Sequence, residues 1–148
     1  IRRVHFNIPL KEMQEVTDYH PDSFTALYDC ISKAIDDKMA TDRNKGVVLV
    51  IITDGEDNCS KMKVEDLKSK ISSQEAQHDW QIIYLAANQD AFGTGQRMNI
   101  GRAKTSGFSQ NQGGLMTALA TTAEHVSVYR QMSQTPGYCA KIDFKTDS

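Results

Sequence analysis

Residues 46–58 read GVVLVIITDGEDN, an apolar run from Val47 to Ile52 that breaks into Asp54, Glu56, Asp57 and Asn58 around Gly55. A nearly continuous β-branched stretch of this kind is what a parallel strand covered on both faces looks like. Parallel strands need crossover segments, so the run predicts an α/β chain before any other element is considered. The acids pose a separate problem. Four carboxylate or amide side chains within five residues repel one another unless something positive sits nearby.

Working outward, TALYDCISKAIDDK (25–38) puts Leu27, Cys30, Ile31, Ala34 and Ile35 at helical spacing, with Asp36 and Asp37 outside. Downstream, KMKVEDLKSKISSQEAQ (61–77) carries Val64, Leu67 and Ile71 on one face. WQIIYLAAN (80–88) reads as a second buried strand, and QGGLMTALATTAEHVSVYRQ (112–131) holds Leu115, Leu119, Ala123, Val126 and Tyr129 on a helical stripe. At the start, IRRVHFNIPL alternates Val4, Phe6 and Ile8 against His5 and Asn7 until Pro9, which predicts a strand over 3–8. Strand and helix alternate, and the expected fold is a doubly wound, Rossmann-like α/β three-layer sandwich. The stretch 90–114, rich in Gly, Ser and Asn, reads as a long surface connection. Within it Gly93 and Gly95 lack the third glycine of a dinucleotide loop and read as turn residues.

The composition narrows the function. At 148 residues, with 39% hydrophobic and 24% charged residues, the chain suits one core. A net charge of −2 with scattered basic residues gives no reason to expect nucleic acid. No apolar run approaches the roughly 20 residues that span a bilayer, so a cytoplasmic protein without membrane contact is expected. Cys30, Cys59 and Cys139 are odd in number and widely spaced, which points to reduced thiols rather than a disulfide framework or a zinc site. Asn58-Cys59-Ser60 spells a glycosylation sequon that reads as coincidence. The dispersed histidines and Asp79 read as structural or solvated. Because Ile1 is not methionine and the opening reads as the middle or end of a strand, a preceding segment is expected.

In open α/β sheets ligands bind beyond the carboxyl ends of the strands. TDGEDN sits at such an end, and the turn HPDSFTALYD (20–29) should emerge at the same edge. Thr25 would then stand near a helix N-terminus, free either to cap the helix or to ligate a metal. Asp54 with Gly55 could equally form a plain Asp-Gly turn. Hydroxyl and carboxylate oxygens without cysteine or histidine suit a hard cation such as Mg²⁺.

FTALYDCISKAI followed by VVLVIITDGEDN resembles the von Willebrand factor A domain, in its bacterial and phage-type version. WQIIYLAANQDA and the helix LMTALATTAEHVSVYR resemble the same subgroup, so the likeness runs over residues 1–131 and leaves 132–148 as a C-terminal extension. By that resemblance Thr25 and Asp54 match the threonine and aspartate of the metal-ion-dependent adhesion site, which holds Mg²⁺ or Mn²⁺ and offers an open position to an acidic group of a partner. Ser23, Glu56 and Asp57 match no direct ligand and would stand behind the metal-binding residues. Ser23 occupies a position where the family has a small residue, usually glycine. The family's DxSxS motif, which supplies one aspartate and two serines, does not occur in this chain. IDFKTDS (142–148) has its composition but not its spacing. The site is therefore expected to be half present and the domain N-terminally incomplete.

The resemblance implies a non-enzymatic, metal-dependent protein-binding domain whose partner presents a carboxylate. Two alternatives stand beside it: a Mg²⁺-dependent phosphoryl-transfer or hydrolytic enzyme, and a metal-independent assembly module. Against the enzyme, the chain has no Walker-type loop, no DxD at a strand end and no lysine placed among the acids. Metal binding by two side chains is expected to be weak, about millimolar. By the resemblance the strand order is 3-2-1-4-5-6, which makes 3–8 the edge strand and leaves the strand at 47–53 without its central neighbour on one side. Self-association through that edge, aggregation or rearrangement is the expected consequence.

Overall fold

A computed structural model describes residues 8–15, 24–41, 46–87 and 90–132. Among them four α-helices and three strands alternate: α1 (Leu27–Met39), β1 (Val48–Thr53), α2 (Val64–His78), β2 (Gln81–Ala87), α3 (Ala91–Arg97), β3 (Thr105–Phe108) and α4 (Gln112–Met132). The strands form one parallel sheet in the order β1-β2-β3, with Ile51 opposite Tyr84 and Tyr84 opposite Thr105. The strand expected over 3–8 lies outside the described residues apart from Ile8.

β2 is buried at all seven positions, and its alternating side chains feed two cores. On one face Ile82, Tyr84 and Ala86 join Ile51 and meet Leu27, Ile31 and Ile35 of α1, Leu67 and Ile71 of α2, and Ala91 of α3. On the other face Ile83 and Leu85 meet Tyr129, with Ala118 and Val126 of α4, Val48 and Val50 of β1 and Phe108 of β3 packed around them. Helices thus cover the sheet on both sides, in the three layers expected of a doubly wound chain. The unbroken apolar runs 48–52 of β1 and 82–87 of β2 drive this, because such strands expose apolar area to water on either face unless both are covered.

Three sequence readings are corrected. Residues 90–114 are not a surface connection: they contain α3, a 3₁₀ turn at Arg102–Lys104 and β3. Ala91, Thr94, Gly95, Met98 and Ile100 are all buried there. Gly93 and Gly95 accordingly lie inside a helix rather than in turns. At Gly93 the Asp90 carboxylate accepts the backbone N–H at 2.9 Å, an N-cap folded over the first turn. At Gly95 a Cβ would stand 2.7 Å from the buried Thr105 Oγ1, so glycine lets α3 lie close against β3.

The third correction concerns α4. Val126 and Tyr129 face the sheet as expected, but Leu119 and Ala123 are exposed and Ala118 and Thr122 turn inward in their place. In the N-terminal half of the helix the small Ala118 and Thr122 thus approach the strands.

β1 pairs on one side only among the described residues. Val48, Leu49 and Val50 are part-exposed and Ile52 is 45% exposed, in contrast to fully buried β2. The neighbours expected for this strand lie outside the described residues. Cys30 and Cys59 are free and exposed. Among the described residues no helix is long and apolar enough to cross a membrane.

Candidate functional site

The acidic loop meets the start of α1. Its geometry begins with Thr53, whose hydroxyl donates to the Gly55 carbonyl at 2.7 Å and accepts the Gly55 N–H at 3.1 Å, turning the chain sharply out of β1. From there the loop runs back over the helix. Thr25 N–H donates to Asn58 Oδ1 at 2.8 Å and Asn58 N–H donates to the Thr25 carbonyl at 3.0 Å, so the two segments hold each other reciprocally.

The first turn of α1 takes its caps from this loop. The N-cap residue is Ala26, which has no side chain for the task. Asp57 Oδ1 accepts the Tyr28 N–H at 3.2 Å and the Ser60 hydroxyl, and Ser60 Oγ accepts the Asp29 N–H at 3.0 Å. In return the Asp29 carboxylate accepts the N–H groups of Lys61 and Met62, at 3.0 and 2.9 Å. These two amide donors favour the ionised form and hold the Asp29 carboxyl below the usual carboxylate range. Much of the charge question raised by the sequence is answered here: the positive element beside Asp57 is the N-terminal end of α1, with its unpaired N–H groups and the positive pole of its dipole.

Thr25 does not cap the helix. Its hydroxyl makes no hydrogen bond to a described group and lies against Gly55, where a Cβ would sit 3.2 Å from Thr25 Oγ1. Asp54, the residue before Gly55, is exposed at the same edge. The structure therefore brings Thr25 and Asp54 to neighbouring positions beyond the carboxyl end of β1. Glu56 is exposed, Asp57 is engaged with α1, and Ser23 lies outside the described residues. Among the described residues no group of three or more His, Cys, Asp or Glu side chains converges on a point that could hold a metal ion. The donors at the Thr25–Asp54 edge are a hydroxyl and a carboxylate, oxygen atoms of the kind a hard cation accepts.

Beneath the loop lie two tyrosines that sequence reasoning passed over. Tyr84 is fully buried and its hydroxyl has no hydrogen-bond partner among the described residues; burial, reinforced by Tyr28 and Glu56, pushes its pKa up to about 12. Burial also raises Tyr28, against the opposing pull of the Arg97 guanidinium, and Asp57 and Glu56 add to the rise. Arg97 is anchored by a 3.0 Å hydrogen bond from Nη2 to the buried Thr94 hydroxyl. The hint in the sequence was the placement of Tyr84 at the middle of a buried strand.

Compared with known protein families, curated proteins and solved structures, the chain matches none.

Proposed function

We propose that the chain is a non-enzymatic protein-binding domain in which Thr25 and Asp54 hold a divalent cation, Mg²⁺ or Mn²⁺, that engages a carboxylate of a protein partner, in the manner of the von Willebrand factor A domains it resembles. The observation that carries this reading is the Thr25 hydroxyl. It is relieved of any capping duty by Asp57 and Ser60, makes no hydrogen bond to a described group, and sits against Gly55 beside Asp54. A bound cation supplies one exchangeable coordination position, which a carboxylate can occupy. The protein's own part is to fix the two donors. The reciprocal Thr25–Asn58 bonds set the spacing of the segments, and Thr53 sets the turn that carries Asp54. Two side chains leave most of an octahedral shell to water, so affinity in this chain is about millimolar.

A second reading, a metal-independent assembly module, is favoured by one specific observation. Asp57, Asn58 and Ser60 are spent on the start of α1, so the loop holds its shape on hydrogen bonds within the chain. Titration of the 148-residue chain with Mn²⁺, followed by paramagnetic broadening of amide resonances, separates the two. The first reading expects broadening centred on Thr25 and Asp54 that is lost in Asp54→Ala and in Thr25→Ala while the fold persists. Broadening that survives Asp54→Ala unchanged, or none at that edge, removes the metal-dependent reading.

A further inference from the structure

On the opposite face of the sheet, away from the Thr25–Asp54 edge, we propose a second binding site: the cleft between the carboxyl ends of β2 and β3 and the start of α4, suited to a neutral, hydroxyl-bearing ring the size of a monosaccharide.

Topology places a crevice there. The chain leaves β2 into α3, which packs on the face of Ile82 and Tyr84, and leaves the adjacent β3 into α4, which packs on the face of Ile83 and Leu85. Two neighbouring strands whose exits diverge to opposite faces leave a gap beyond their carboxyl ends, where ligands of open α/β sheets sit. Beside this gap, between β3 and the first turns of α4, lies a cavity of about 350 Å³, within the range of small-molecule sites.

The lining defines the chemistry. Leu85, Phe108 and Ala118 make an apolar floor, and among the described lining residues none carries a charge. A charged ligand would lose hydration there and gain no counter-charge. At the helix start Asn111 Oδ1 accepts the Gly114 N–H at 2.7 Å, which takes up one of the first-turn donors. Around the floor stand side chains with hydrogen-bonding capacity to spare: the Ser109 and Thr121 hydroxyls bond to no described protein group, and the Thr117 hydroxyl, which donates to the Gly113 carbonyl at 2.9 Å, can still accept. An apolar ring face opposed by several hydroxyl groups is the complement of this arrangement, since a sugar ring presents C–H groups to an aromatic floor and O–H groups to its rim. The rim is firmly held. A Cβ on Gly114 would stand 2.4 Å from the Ser109 carbonyl oxygen, so the 109–111 segment lies directly on the first turn of α4 and is not a free loop.

Amide-resolved NMR titration of the 148-residue chain with glucose and ribose, and with glucose phosphate for comparison, tests the site. Saturable shifts confined to Ser106–Thr121 are expected for the neutral sugars. Removing two hydrogen-bonding groups with Ser109→Ala and Thr121→Val is expected to weaken them about tenfold without lowering Tm. Ala118→Phe, which fills the floor, should abolish them; if that variant does not fold, the double variant decides alone. Absence of saturable shifts with both sugars, response to the phosphate ester only, or affinity unchanged in the double variant overturns the proposal.

Discussion

Asp57 is the residue whose removal most directly tests how the acidic loop is built. Its Oδ1 accepts the Tyr28 N–H of α1 and the Ser60 hydroxyl, and Ser60 in turn accepts the Asp29 N–H. In Asp57→Ala the Tyr28 amide loses its acceptor, which by the cost of lost helix caps amounts to about 0.5–2 kcal/mol. Loss of a negative charge beside the helix N-terminus adds about 0.3–1 kcal/mol, and Ser60 loses the partner that orients it. The expected total is about 2 kcal/mol, a sizeable share of the roughly 5–15 kcal/mol that holds a domain folded. Asp57→Asn keeps an acceptor and loses only the charge, so its expected cost is about 1 kcal/mol or less. Urea unfolding followed by far-UV circular dichroism measures both, with midpoint shifts of about 1 M for alanine and less than half of that for asparagine. Equal midpoints for wild type and Asp57→Ala would refute the capping role. Equal losses in both variants would show that charge, not the hydrogen bonds, is what matters.

Tyr84→Phe removes a buried hydroxyl that has no partner among the described residues, and it is expected to raise stability by about 1 kcal/mol, against the loss of about 1 kcal/mol usual when a bonded tyrosine is cut back; chemical denaturation reads the sign. In the wild type the Tyr84 pKa of about 12 stands above the usual value near 10, so the folded state binds more protons between those limits and its stability falls as pH rises from 10 to 12, a decline that Tyr84→Phe should reduce. Gly114→Ala forces a Cβ to within 2.4 Å of the Ser109 carbonyl, a backbone atom, and should lower Tm by several degrees; an unchanged Tm would mean that the 109–111 segment yields freely. At the open side of β1, Ile52→Lys should reduce self-association in sedimentation velocity without lowering the unfolding midpoint, because Ile52 is 45% exposed; a wild-type chain that sediments as a monomer at all concentrations would contradict adhesion through that edge.

The elements that the sequence made legible are those whose own side chains carry the period. Leu27, Ile31 and Ile35 announce α1, and the unbroken runs of β1 and β2 announce buried parallel strands. β3 was illegible because Thr105-Ser-Gly-Phe is extended only by pairing with Tyr84–Ala87 of β2, a property of its neighbour. α3 was hidden by Gly93 and Gly95, whose presence inside a helix makes sense only once Asp90 and Thr105 are seen beside them. For α4 the C-terminal part of the stripe, Val126 and Tyr129, was legible, and the N-terminal part was not, since whether Leu119 or Ala118 faces inward is set by the space above Ile83 and Leu85. The meeting of Thr25 with the Asp54 loop followed from strand and helix polarity alone. That Asp57 and Ser60, rather than Thr25, would cap α1 did not, because the partners stand 29 and 31 residues away and no local signature links them.

The reach of those caps bears on the order in which the chain can fold. Most helices can assemble their ends from adjacent residues, and so form early and locally. α1 emerges during synthesis before β1 and well before Asp57, Asn58 and Ser60 exist to close its first turn. Until β1 is placed and the loop turns back, the helix start is left to water and the 13-residue segment is too short to hold itself. The stitching of 25–29 to 57–62 is thus a checkpoint on assembly: an ordered first turn in α1 reports that the strand behind it has already docked.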